Sequence, residues 1–201
     1  MKNLIYLVIG LLFINTAKAQ TTTITGFIGI PFGCSKAEAK SKFLEKYPEA
    51  KIYTDKPHIF TYTDAKFGGR NTIAITLSFT DDDKFHTAVV CIDTPNDDDV
   101  FDLFDEITAE IDAKYRQHDF KNEFWKSPYD ESDKDKYGVS AIKLGKCKLQ
   151  SLWMFDIEGK KDRNMIEVAN NEFCNITITY QNEELISEQV ARNKVKNSND
   201  Y

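Results

Sequence analysis

Residues 72–79 alternate without a break, with Ile73, Ile75, Leu77 and Phe79 set against Thr72, Ala74, Thr76 and Ser78. A strict period of two marks a strand with one face in a core and the other turned outward. Thr80 to Asp83 then make a polar turn, and Phe85 to Ile92 returns as a second strand, apolar on both faces and so read as central. Strands joined this tightly must be antiparallel, because a parallel pair needs a crossover of a dozen residues or more. The chain is therefore expected to be built around an antiparallel sheet.

The other elements fit that frame. Ile24 to Ile30 reads as a strand. Ser35 is a natural N-cap with Glu38 three residues on, a capping box, and Ala37, Ala39, Phe43, Leu44 and Tyr47 follow at helical spacing until Pro48 stops the helix. Ile59 to Thr63 reads as a short strand. Residues 97–116 form the longest expected helix, with Asn96 as cap, Asp97, Asp98 and Asp99 in the first turn where the helix dipole favours negative charge, and Val100, Phe104, Ile107, Ile111 and Tyr115 as the buried stripe. Glu110 to Lys114 and Asp112 to Arg116 are placed as pairs on its wet side. Residues 117–146 lack a clear period and read as a long connection with room for a short strand. Three strands close the chain at 147–157, 163–169 and 172–180, before a short helix from Glu183 to Arg192. Runs of strands without crossover helices predict an α+β fold, a mainly antiparallel sheet with helices packed on one face.

The start of the chain carries an address. Lys2, the apolar run Leu4 to Ile14 and the small-residue site Ala17-Lys18-Ala19 make a secretory signal peptide over 1–19. The apolar run is shorter than the roughly 20 residues a membrane span needs. The expected organisation is a signal peptide at 1–19 and a single α+β domain over 20–201, with the long connection at 117–146. Cleavage would take Lys2 and Lys18 from the 26 basic residues and leave 24 against 32 acidic ones, moving the formal charge from −6 to −8. That balance speaks against nucleic acid, whose phosphates demand a basic footprint. It speaks equally against docking on an anionic membrane. No second long apolar stretch follows, so no integral membrane segment is expected after the signal is removed, and the expected location is periplasmic or secreted.

Four cysteines, Cys34, Cys91, Cys147 and Cys174, are widely spaced, with no C-x-x-C for a zinc or redox motif. An even count in an oxidising compartment favours disulfides, with the pairing open. If the last three strands form a meander, Cys147 and Cys174 lie about 9–10 Å apart, two strand spacings. A disulfide tolerates roughly 7 Å, so that pairing is disfavoured.

Little in the sequence points to catalysis. Cys34, just ahead of a helix N-terminus, is the best nucleophile on paper. None of His58, His86 or His118 sits in a recognisable catalytic signature. The acidic stretches Thr80–Lys84 and Asp130–Gly138 depart from the calcium-loop pattern, so no metal site and no cofactor are expected. The binding candidate is the 117–146 connection, above all Phe124, Trp125, Tyr129 and Tyr137, because Trp and Tyr are enriched at binding hot spots. The opposing reading is that these rings pack down and pin the connection to the core.

Several stretches, "GIPFGCSKAEAKSKF", "FGG", "FTDDDKFHTAVV", "LWMF" and "ITITYQNEEL", resemble small uncharacterised secreted α+β proteins of Gram-negative bacteria that carry an FG-x-S-K-x-E helix start before antiparallel strands. The opening helix is also similar to that of small outer-membrane assembly lipoproteins with a G-M-T-x-x-E-V start, although this chain lacks their lipid-bearing Cys and is longer. The first resemblance implies an α+β fold and an exported address, and brings no activity or functional residues with it. The expectation is a non-enzymatic binding or interaction module of the cell envelope, with an unknown protein or small molecule as partner. The alternatives are a secreted hydrolase whose site is assembled from distant residues, or an inhibitor or partner of a secreted enzyme.

Overall fold

In the computed structural model, residues 23–198 are described, so the signal-peptide reading of 1–19 lies outside the described residues. The elements run β1 Gly26–Phe27, β2 Ile30–Pro31, α1 Lys36–Lys46, β3 Lys51–Lys56, β4 Ile59–Thr63, β5 Lys66–Phe67, β6 Arg70–Phe79, β7 Phe85–Ile92, α2 Val100–Lys114, β8 Phe120–Trp125, α3 Lys134–Lys143, β9 Cys147–Asp156, β10 Arg163–Asn170, β11 Ile176–Asn182 and α4 Glu183–Ser198. Apart from the small β1–β2 hairpin, the strands join in one nine-stranded antiparallel sheet ordered β3-β4-β6-β7-β11-β10-β9-β8, with β5 beside β6. This is the expected α+β architecture, and β6 and β7 pair antiparallel, with Ile75 opposite Val90 and Leu77 opposite Ala88.

Register explains why one side of the sheet is the core. The row Phe60, Leu77, Ala88, Tyr180, Ile166 and Trp153 crosses six strands as direct partners, and every member is buried. The parallel row through Tyr62, Ile75, Val90, Ile178, Val168 and Ser151 does the same. Three helices cover this face. On α1, Phe43 stacks on Tyr62 with centroids 4.0 Å apart. On α2, Phe104, Ile107 and Ile111 are buried as the stripe requires, and Thr108 donates to Ser151 of β9 at 3.2 Å. α3 packs on α2 through Gly138. α4 leaves the end of β11 and is tied to the β6–β7 turn, where Gln189 donates to Asp81 and Arg192 to Asp82.

Several local expectations give way. Ile24 to Ile30 is not one strand: Ile28 and Gly29 take φ of 47° and 87°, a tight reversal that folds the segment into the β1–β2 hairpin. Cys174 precedes β11 in a left-handed turn conformation at φ 59°. The wet-side pairs on α2 are displaced by tertiary partners. Glu110 accepts two bonds from Arg70, while Asp112 turns inward to accept from buried Trp153 Nε1 at 2.9 Å and from the His118 backbone N–H at 2.7 Å. Residues 117–146 are not a long connection: they hold the edge strand β8, a 3-10 turn at Glu131–Asp133 and α3. Among the described residues no helix is long and apolar enough to cross a membrane.

Candidate functional site

The opening stretch of α1 resolves as structure. Ser35 Oγ accepts the Glu38 N–H at 3.2 Å, and Asp83 of the β6–β7 turn accepts the Lys36 N–H at 3.0 Å. The Cys34 thiol is pushed up to about 11, chiefly by burial and then by the nearby Glu38 carboxylate. Desolvation and like charge outweigh the helix N-terminus, so the thiol is protonated at neutral pH and is a poor nucleophile. All four cysteines, Cys34, Cys91, Cys147 and Cys174, are free thiols, so the even count is not realised as disulfides. The strands β9, β10 and β11 do form a meander, with β10 between the other two.

The acidic stretches are also consumed by structure. In the β6–β7 turn Asp82 takes the Thr80 hydroxyl at 2.7 Å, Lys84 Nζ at 3.1 Å and the Arg192 guanidinium at 2.9 Å. These donors hold its carboxyl far below the usual range, the Thr80 hydrogen bond first among them. Asp130 and Asp133 cap the 3-10 turn before α3 reciprocally. Among the described residues no group of three His, Cys, Asp or Glu is placed to hold a metal ion.

Among the described residues, the clefts on the helix side include two beside α2. One of about 420 Å3 lies between the β1–β2 hairpin and the helices, with Lys42, Lys114 and Tyr115 in its wall. The other, about 530 Å3, runs between α2 and α3 over Phe101, with Asp98, Asp102, Lys134 and Asp135 at its rim.

The strongest surface feature is the sheet edge at β8. The two edges of the sheet are built differently. On β3 the register with β4 slips between Ile52 and Thr54, which leaves Tyr53 as an unpaired bulge that is 78% exposed. Asp55 there is held by Lys36 and Lys40. A bulge and charges are the usual means by which an edge resists pairing with another chain. On β8 all six residues pair in unbroken register, from Phe120 opposite Leu152 to Trp125 opposite Cys147.

Which backbone groups of β8 face outward follows from that ladder. Lys126 donates to the Lys146 carbonyl at 2.8 Å just beyond the strand. Antiparallel partners alternate between bonded and non-bonded pairs, so Phe120, Asn122 and Phe124 turn their backbone groups toward β9. The opposite set agrees: Leu149, the partner of Glu123, sends its N–H the other way, to Asn170 Oδ1 at 2.7 Å. Lys121, Glu123 and Trp125 therefore present their N–H and C=O groups away from the sheet.

Side chains follow the same alternation. Phe120 and Phe124 project from the face opposite the helices, 40% and 39% exposed, and their rings stack at 5.8 Å. Lys121, Glu123 and Trp125 point to the helix side. Lys121 pairs with Asp105 of α2 at 2.7 Å, Glu123 with Lys134 of α3 at 2.5 Å, and Trp125 lies flat on Phe101 of α2 at 6.4 Å with 7° between planes.

The four aromatic residues singled out from the sequence are thus divided. Phe124 stands on the open face and Trp125 on the other. Tyr129 packs on the core edge, 6.3 Å from Tyr137 of α3, which is 41% exposed. Trp125 and Tyr129 pin the segment down, while Phe124 and Tyr137 remain accessible. The residue missed as a site candidate is Phe120, the stacking partner of Phe124. The signal that finds it is the i, i+4 spacing of two phenylalanines along one strand face.

Compared with known proteins, the chain matches no family model, no curated protein and no solved structure.

Proposed function

We propose that the chain is an exported, non-enzymatic interaction module of the cell envelope that engages its partner by strand addition at β8. The observation that supports this most is the contrast between the edges: β3 is blunted by a bulge, while β8 is regular and offers three residues' worth of unpaired main-chain donors and acceptors. Strand addition draws affinity from main-chain hydrogen bonds and specificity from alternate side chains. At β8 an incoming strand meets Phe120 and Phe124 on one face, and Lys121, Glu123 and Trp125 on the other. The signal-peptide pattern supports the exported address.

The test uses peptides selected from a displayed random library against the mature chain, with affinities read by fluorescence polarisation. Glu123→Pro removes an outward N–H without touching the ladder to β9, and proline is tolerated on edge strands in that setting. Selected peptides should lose about tenfold or more in affinity for Glu123→Pro, roughly the effect of one net hydrogen bond. Equal binding to both proteins would sink the proposal.

A further inference from the structure

Resting on the β8 reading, we infer that the partner added at this edge is a second copy of the same chain, paired antiparallel about a two-fold axis beside Asn122. A symmetric dimer requires a patch complementary to itself, and the sequence Phe120-Lys121-Asn122-Glu123-Phe124 is. The axis sets Lys121 opposite the partner's Glu123 and Glu123 opposite the partner's Lys121. It sets Phe120 opposite the partner's Phe124, and Asn122 opposite its own copy.

Backbone parity admits this register. Lys121 and Glu123 are the residues whose N–H and C=O groups face outward, so each Lys121–Glu123 pair across the axis is a bonded pair that exchanges two N–H···O bonds. Phe120 and Phe124 fall on the non-bonded pairs, where side chains approach most closely. Their rings already stack within one chain at 5.8 Å, and the two-fold axis brings two such stacks into one cluster on the open face. On the other face, the intrachain Asp105–Lys121 and Glu123–Lys134 pairs extend into a run of alternating charge across the interface. A shift of one residue would set bonding groups against non-bonding ones and move the rings to opposite faces of the joined sheet. The features that would block such pairing, a bulge, a proline or like charges at facing positions, are confined to the β3 edge or absent from residues 120–125 of β8.

The experiment is sedimentation of the mature protein across a concentration series, with two charge variants and their mixture. Wild type should show a monomer–dimer equilibrium. Lys121→Glu places Glu opposite Glu, and Glu123→Lys places Lys opposite Lys, so each alone should associate at least about tenfold more weakly, as like charges directly opposed are repulsive. Mixed in equal amounts, the two variants restore opposite charges at both positions and should recover a heterodimer near the wild-type constant. Circular dichroism on each variant separates loss of pairing from loss of fold. Recovery in the mixture is a result that a folding defect cannot produce. Wild type that remains monomeric at the highest concentration, or a dimer unaffected by Glu123→Pro, overturns the second-copy inference. Library peptides that still depend on Glu123 would leave the strand-addition reading standing by itself.

Discussion

Gly138 of α3 lies so close to the ring of Phe101 on α2 that a Cβ there would sit 2.7 Å from Cε2 and 2.9 Å from Cζ. The missing side chain is what lets the two helices meet, and Phe101 passes the contact on to Trp125 of β8 through their stacked rings. Gly138→Ala gains about 1 kcal/mol of helix propensity. It incurs about 1–3 kcal/mol of overpacking against a ring that has a second ring behind it. The expected result is a net loss of about 1 kcal/mol, or about 2–4 °C in Tm for a domain of this size, with a shift in Trp125 emission. An unchanged or higher Tm would show that Phe101 moves aside freely.

The sheet centre was legible because a tight turn fixes β7 beside β6, and β6 from Ala74 to Phe79 alternates buried and half-exposed residues, so its hydropathy and geometry share a period. The α2 stripe was legible for the same reason. The β8 strand was not, because its pattern is inverted. Phe120 and Phe124 face outward, while Lys121 and Glu123 face the helices, neutralised by Asp105 and Lys134 from the helices on either side of β8 in the chain. No local rule reports such partners. α3 hid behind Gly138, whose contribution to packing is the side chain it lacks. The β1–β2 hairpin hid behind Ile28, a β-branched residue at φ 47°, where turn rules lead one to expect Asn, Asp or Gly.

Stability should fall in two steps as pH drops. Burial, the leading cause, lowers His86 below its ordinary 6.5, so the unfolded chain binds this proton first. Its contribution is complete above pH 6.5 and is lost as pH falls through the folded value. Asp119 is held below its ordinary 3.8, first by the Arg116 hydrogen bond and then also by the Met154 N–H at 2.7 Å. Its contribution is complete above pH 3.8 and is lost as pH falls through its lower folded value. Urea unfolding at a series of pH values should show His86→Gln flattening the upper step and Asp119→Asn reducing the lower one, to which Asp55, Asp82 and Asp130, also held low by their hydrogen bonds, contribute as well. A single step untouched by His86→Gln would remove that histidine from the account.

Native thiols should react slowly. Burial and Glu38 push Cys34 up to about 11, and burial pushes Cys147 up to about 12. Iodoacetamide at pH 7.5 should therefore modify Cys34 roughly 300-fold more slowly than an unperturbed thiol near 8.5, since only the thiolate attacks. Cys147 and Cys174, buried as well as protonated, should react only after unfolding. Peptide mapping of time points gives the rates. Labelling of Cys34 faster than that of free cysteine would mean the α1 N-terminus activates it after all.

Phe124 and Trp125 are neighbours in sequence with opposite duties, and two alanine substitutions should separate them. Trp125 is half-buried on Phe101, with Nε1 donating to Glu123 at 3.3 Å. Full burial of such a ring is worth about 3–5 kcal/mol on truncation, and this partial burial warrants about 2–3 kcal/mol. Phe124, 39% exposed on the open face, has Phe120 as its ring neighbour and no helix above it, so Phe124→Ala should stay within about 0.5 kcal/mol of wild type. Association should rank the other way. Phe124→Ala removes two rings from the cluster at the two-fold axis and should weaken self-association about tenfold or more at unchanged Tm, as expected of an aromatic anchor near the centre of an interface. Thermal melts and sedimentation on the two proteins give both readings. If Phe124→Ala melts early and associates normally, the exposed pair of phenylalanines belongs to the fold and not to the interface.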